Sequence, residues 1–229
     1  MSIGDGSIGE QGWIELAAAD GHRLRAYRSV ARGEEIGRVI VAPEIFGINR
    51  HIRGVCDRFA AAGYTALAPD LFERAERAVE LGYDSDGIQR GRDLRGRMAD
   101  DGVLADVAAA LAALGGDGSA ALAGFCWGGT VAWMAASRLP LRAAVGYYGG
   151  EIGNHLDLTP RMPALLHFGE QDHAIPLSVA DGVRDRHPAV AVHLYPAGHG
   201  FNCDERGSFH PESAALALQR TLGLLRAVF

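Results

Sequence analysis

Short runs of apolar and β-branched residues alternate along the chain with longer stretches whose apolar positions recur every three or four residues. The first pattern suits strands buried in a covered sheet and the second suits helices that bury one stripe. Together they predict a mostly parallel sheet with helices on both faces. Eight strands are expected, at Trp13–Ala17, His22–Arg28, Val39–Ala42, Tyr64–Ala68, Ala120–Phe125, Ala143–Tyr148, Ala164–Phe168 and Val190–Tyr195. Asp20-Gly21 between the first two is a hairpin signal, so the sheet should begin antiparallel, and the later connections are long enough for right-handed crossovers. Helices are expected at Asn49–Ala62, Asp101–Leu114, Trp127–Ser137, Leu177–Arg186 and Pro211–Ala227, with Asn49 as an N-cap and Gly115-Gly116 as a stop. Arg74 to Asp100 carries dense mixed charge without a clean period and reads as surface loop with irregular helix. No repeat, linker or low-complexity tract divides the chain, and 229 residues suit one domain.

Composition narrows the function. Twenty-two basic against 28 acidic residues leave a net charge of −6, and no arginine-rich segment lacks nearby Asp or Glu, which argues against nucleic-acid binding. All the basic residues are arginine. The missing lysine removes a Schiff-base lysine, a pyridoxal-phosphate site and a Walker-type phosphate loop. Cys56, Cys126 and Cys203 are too few and too scattered for a disulfide framework and match no zinc-ribbon spacing, so free thiols in a reducing compartment are expected. Met1 to Gly12 holds Asp5 and Glu10 and lacks a basic and apolar leader pattern, so a cytoplasmic location is expected. Gly118 to Ser137 is uncharged over about the length of a membrane span. The three glycines at its centre instead suggest a strand, a tight turn and a buried helix.

That turn, Gly124-Phe125-Cys126-Trp127-Gly128-Gly129, is the sharpest chemical signal. A G-x-nucleophile-x-G turn strains its central residue, and its glycines leave room for the neighbouring strand and helix. Cys126 would then sit at a helix N-terminus, where the dipole and unpaired amides favour a thiolate and an oxyanion. A buried cysteine in a Gly-rich turn is the alternative reading. Downstream, Gly169-Glu170-Gln171-Asp172-His173 sets Asp172 at a strand end, and Pro196-Ala197-Gly198-His199-Gly200-Phe201 sets His199 in a loop at the same sheet edge. Taken alone, Asp172 is also a good turn residue and His199 an ordinary loop histidine. The chain order nucleophile, acid, histidine is the one a nucleophile-elbow fold requires. His187, His193 and His199 recur every six residues, but no HExxH or other metal motif accompanies them, and no metal or organic cofactor is expected.

Five segments, Pro43-Glu44-Ile45-Phe46-Gly47, Pro69-Asp70-Leu71-Phe72, Gly124-Phe125-Cys126-Trp127-Gly128-Gly129, Gly169-Glu170-Gln171-Asp172 and Gly198-His199-Gly200-Phe201, resemble the signature segments of the dienelactone hydrolases. These enzymes, also called carboxymethylenebutenolidases, have the α/β-hydrolase fold and a cysteine nucleophile. The resemblance implies Cys126 as nucleophile, His199 as general base and acid, and Asp172 as the residue orienting it. It further implies that Glu44 contacts the resting thiol and helps generate the thiolate, and that the amides of Ile45 and Trp127 form the oxyanion hole. Glu44 read alone is a solvated loop acid. Arg74 aligns with a family arginine that binds the substrate carboxylate, although by itself it is an arginine in a charge-rich loop. The family's second such arginine falls at Cys203, and Arg206 is the nearby substitute.

The expected protein is a hydrolase of a small lactone or ester, acting through a thioester acyl-enzyme as a monomer or small homo-oligomer. Its partner is a small-molecule substrate, with no nucleic acid and no membrane. A general carboxylesterase or thioesterase without dienelactone activity is the alternative within enzymes, and a non-catalytic small-ligand-binding protein is the alternative outside them.

Overall fold

The computed structural model describes residues 11–229, so the reading of Met1 to Gly12 falls almost wholly outside the described residues. Strands β1 (Gly12–Ala17), β2 (Arg23–Ser29), β3 (Gly37–Ala42), β4 (Tyr64–Pro69), β5 (Ala120–Phe125), β6 (Ala144–Tyr147), β7 (Ala164–Gly169) and β8 (Ala191–Tyr195) form one sheet. Its order is β1-β2-β4-β3-β5-β6-β7-β8. The first two joins, β1 with β2 and β2 with β4, are antiparallel, and all later ones are parallel. The hairpin turns at Gly21, whose φ of 85° suits glycine.

Strands β4, β5, β6 and β7 are buried at every position. Their unbroken apolar character follows from being covered on both faces. In β3 the two-residue period divides the core: Val39 and Val41 join α1 (Arg50–Ala61) and α6 (Pro211–Val228), while Ile40 and Ala42 join α3 (Asp100–Ala113) and α4 (Trp127–Arg138). Helix α1 buries Ile52, Val55, Cys56 and Phe59 at helical spacing, and Asn49 caps it by accepting from Ile52 N over 3.1 Å. Helix α5 (Leu177–Arg186) lies between β7 and β8 in the chain.

The stretch from Gly118 to Ser137 divides into β5 and α4, and among the described residues no helix is long and apolar enough to cross a membrane. The region read as loop and irregular helix needs a correction, because it contains the regular helix α2 (Ser85–Arg95), capped by the Asp84 side chain on Gly87 N at 2.8 Å. Its buried face is Gly87, Gly91 and Leu94. A Cβ at Gly91 would lie 2.2 Å from the carbonyl oxygen of Ile45. Glycines let this helix press against main chain, so no apolar stripe marks it.

Strand order reverses around β3. The chain passes from β3 to β4 on one side and returns through α2 and α3 to β5 on the other. The C-terminal ends of β3 and β5 therefore flank the crevice where open α/β sheets bind ligands.

Candidate active site

Cys126 joins β5 to α4 with φ 53° and ψ −116°, a left-handed backbone that costs a non-glycine residue energy and persists only under packing from all sides. That packing is backbone on backbone. A Cβ on Gly124 would lie 1.8 Å from Gly128 O, and one on Gly128 would lie 2.1 Å from Ala42 O. Gly128 N also donates to Pro43 O at 3.1 Å, tying the start of α4 to the end of β3. Trp127 is the first residue of α4. Its amide belongs to the first turn, where no intrahelical acceptor exists, and the helix dipole adds positive potential beside the Cys126 sulfur.

The β7 and β8 loops bring up two further side chains. Asp172 Oδ1 accepts from the amides of Ala174 and Ile175 at 2.8 and 3.2 Å, which leaves Oδ2 to accept from His199 Nδ1 at 2.8 Å. With its proton held there, the ring turns Nε2 toward Cys126 Sγ, 3.2 Å away. Burial opposes charging of His199, but its hydrogen bonds to Asp172 and Cys126 outweigh burial and push it up to about 10. The arrangement thus favours an imidazolium beside the Cys126 sulfur. Tyr148, itself in a left-handed conformation (φ 38°), packs edge-on to His199 with ring centroids 5.2 Å apart.

Cys126 opens onto a cleft of about 760 Å³, with a second lobe of about 410 Å³ that shares Ile45, Arg92, Cys126 and Gly150. This is the size range of small-molecule sites. Ile45 follows β3 and lines both lobes, on the same crevice as the elbow. Arg206 also faces the cleft, its guanidinium lying where a Cβ on Gly200 would come within 2.6 Å.

Three expected positions stand elsewhere. Arg74 does not line the cleft: its Nε and Nη2 donate to buried Asp106 at 2.9 and 2.8 Å, and its Nη1 donates to Asp20 at 2.7 Å. Two carboxylates occupy the fork that would otherwise grip a substrate carboxylate. Cys203 is fully buried and likewise absent from the cleft wall; burial, with the Glu44 carboxylate beside it, pushes its thiol up to about 11. Glu44 is buried too, but its Oε2 accepts from the Tyr83 hydroxyl at 3.1 Å and its Oε1 lies 3.6 Å from Arg206, while the Cys126 thiol is hydrogen-bonded to His199. Among the histidines in the six-residue series, His187 bonds to Leu156 O and takes no part in the site.

Two cationic residues of the cleft escaped the sequence reading. Arg92 lines both lobes and is exposed with no ion-pair partner among the described residues, whereas Arg95 is tied to Asp100 and Glu151 at 3.1 and 2.9 Å. Both come from α2, whose start is signalled locally by the Asp84 cap and by Asp86 in the first turn.

Residues 24–229 match the dienelactone hydrolase family. A carboxymethylenebutenolidase of Pseudomonas sp. (strain P51) is 32% identical over 225 residues, spanning 93% of this chain and 94% of its own. An Escherichia coli K12 protein provisionally named carboxymethylenebutenolidase is 36% identical over 204 residues, spanning 80% of this chain and 74% of its own. A Klebsiella pneumoniae crystal structure, provisionally named a dienelactone hydrolase, superposes with a TM-score of 0.77 at 32% identity, over 95% of this chain and 100% of that one.

Proposed function

The chain belongs to the dienelactone hydrolase family, and from that premise we propose that it hydrolyses small lactones or carboxylic esters with Cys126 as nucleophile. The observation that carries this reading is His199, bonded on one side to Asp172 at 2.8 Å and on the other to Cys126 at 3.2 Å. The Cys126 thiolate attacks the carbonyl carbon, and the oxyanion takes hydrogen bonds from the amides of Ile45 and Trp127. As the carbon–oxygen bond breaks, the leaving oxygen takes the Nε2 proton of His199 and a thioester remains. Water then gives a proton to His199 and attacks the thioester, and Cys126 leaves as thiolate. A thiolate leaves more readily than an amide nitrogen, so activated esters and enol lactones suit this nucleophile better than peptides do. Free thiols persist in a reducing compartment, which fits a cytoplasmic enzyme.

Arg206 and Arg92 are the groups we assign to a substrate carboxylate, in the place that the family resemblance gave to Arg74 and to the position of Cys203. Glu44 enters as the resting partner of Arg206 rather than of the thiol, at 3.6 Å. A second reading, a general carboxylesterase or thioesterase, is favoured by the pairing of Arg74 with Asp106 and Asp20. A screen of the purified protein against a dienelactone, an aryl acetate and an acyl thioester separates the two. Iodoacetamide labelling with peptide mapping tests the shared chemistry: loss of activity should follow alkylation of Cys126, and full activity with Cys126 alkylated would end both readings.

A further inference from the structure

A second thiol, imidazole and carboxylate meet in the interior beside Arg206. One ligand atom each from Glu44, His51 and Cys203 lies within 4.8 Å of the other two. The three residues are 0%, 2% and 0% exposed. His51 Nδ1 is 2.8 Å from Asp204 Oδ1, and a carboxylate there can only accept, so Nδ1 carries a proton and the lone pair of the neutral ring falls on Nε2. That Nε2 is buried without a hydrogen-bond partner, and so is Glu44 Oε1. Buried polar atoms are nearly always satisfied; Glu44 Oε1 has only the Arg206 guanidinium at 3.6 Å, so the orphaned His51 Nε2 beside a thiol calls for an occupant that accepts lone pairs. Histidine held by a carboxylate at Nδ1, with Nε2 free, is the arrangement that orients imidazole toward a metal.

We propose that Glu44, His51 and Cys203 form a binding site for one divalent cation of the zinc class. Sulfur, imidazole nitrogen and carboxylate oxygen are the donors Zn²⁺ takes, whereas Mg²⁺ and Ca²⁺ demand oxygen. Thiolate and carboxylate together match the charge of the ion, and on binding the thiol proton of Cys203 passes to solvent with no change of oxidation state. Donor atoms around tetrahedral zinc stand about 3.5 Å apart, so any pair of these atoms near 4.8 Å draws closer on loading. Tyr83 supports Glu44 through its hydroxyl at 3.1 Å, and the competing cation is Arg206, 3.6 Å from Glu44 Oε1, which the ion must displace. The site shares no ligand with the Cys126, His199 and Asp172 group.

Co²⁺ titration of the full chain, read by the thiolate-to-cobalt charge-transfer band, with Zn²⁺ calorimetry for stoichiometry, is the test. One equivalent per chain is expected, with the band unchanged in Cys126→Ala. Cys203→Ala should abolish the band. His51→Gln should weaken binding at least a hundredfold. Asp204→Asn should weaken it about tenfold by releasing the imidazole, and because the Asp204 side chain is 54% exposed this variant keeps the test decidable if a core variant misfolds. Three results overturn the proposal: no band in the wild-type protein, a band that survives Cys203→Ala or vanishes with Cys126→Ala, or equal competition by Mg²⁺ or Ca²⁺.

Discussion

Two groupings in this molecule contain the same functional groups in different surroundings. In one, Cys126 faces His199, whose Nδ1 lies 2.8 Å from Asp172; in the other, Cys203 stands near His51, whose Nδ1 lies 2.8 Å from Asp204. Cys126 is partly exposed at the mouth of a cleft, on a strained turn that opens a 12-residue helix. Cys203 is sealed, next to a buried carboxylate that opposes its ionisation. Access and local field therefore separate the two thiols, although the residues assembled are alike. A helix N-terminus and an imidazolium stand beside the Cys126 sulfur, while desolvation holds Cys203 as a thiol until something positive replaces its proton.

The most direct way to break this contrast is Cys126→Ala, expected to fold normally and to lose about 10⁴-fold or more in kcat, since the members of a catalytic group act as a unit. Steady-state kinetics with an aryl ester, beside a circular-dichroism check of the fold, measure it; more than a tenth of wild-type turnover would shift the chemistry to another thiol. Asp172→Asn should cost less, roughly a hundred- to a thousandfold. The serine template loses about ten-thousandfold from the wrong histidine tautomer, but a thiol is more acidic than a hydroxyl. Turnover equal to wild type between about pH 6 and 8 would remove Asp172 from the mechanism.

Substrate charge acts where the two groupings meet, because Arg206 faces the cleft on one side and Glu44 on the other. Arg206→Gln should raise KM about tenfold for a carboxylate-bearing lactone, the equivalent of about 1.4 kcal/mol, and affect a neutral aryl ester less. Equal responses from both substrates would transfer the carboxylate to Arg92.

The smallest expected effect is on stability against pH. His199 is raised to about 10 in the folded chain, so folding binds its proton more tightly than the unfolded chain does near 6.5. Its stabilisation is complete below about pH 6.5 and fades as pH rises through about 10. Urea unfolding of wild type and His199→Gln at pH 6, 8 and 10 should show the gap between them narrowing with pH. A gap that widens instead would contradict an imidazolium held between Asp172 and Cys126.

The elbow was legible because its requirements are local. Gly124, Gly128 and Gly129 are glycines since carbonyls of neighbouring main chain lie within 3 Å of where a Cβ would stand, and that crowding is written into the residues themselves. Strands β4, β5, β6 and β7 were legible for a similar reason, as burial on both faces dictates composition position by position. Helix α2 was not, because its packing face is mostly glycine and a glycine face carries no hydrophobic period. The side chains of Arg74 and Cys203 were misplaced by a sequence reading for a further physical reason. A register with known motifs locates a backbone position along the chain, but the direction of a long or buried side chain depends on partners that arrive from far away. Arg74 turns to Asp20 and Asp106, and His51 meets Asp204 from 153 residues later. The strands of the sheet, the strained thiol and the chain order of its partners can thus be read from the residues alone, because each rests on local stereochemistry and period. Which arginines face the cleft, and that a second thiol, imidazole and carboxylate meet in the interior, emerges only from the folded chain, because long-range contacts choose among the many directions that a flexible side chain can take.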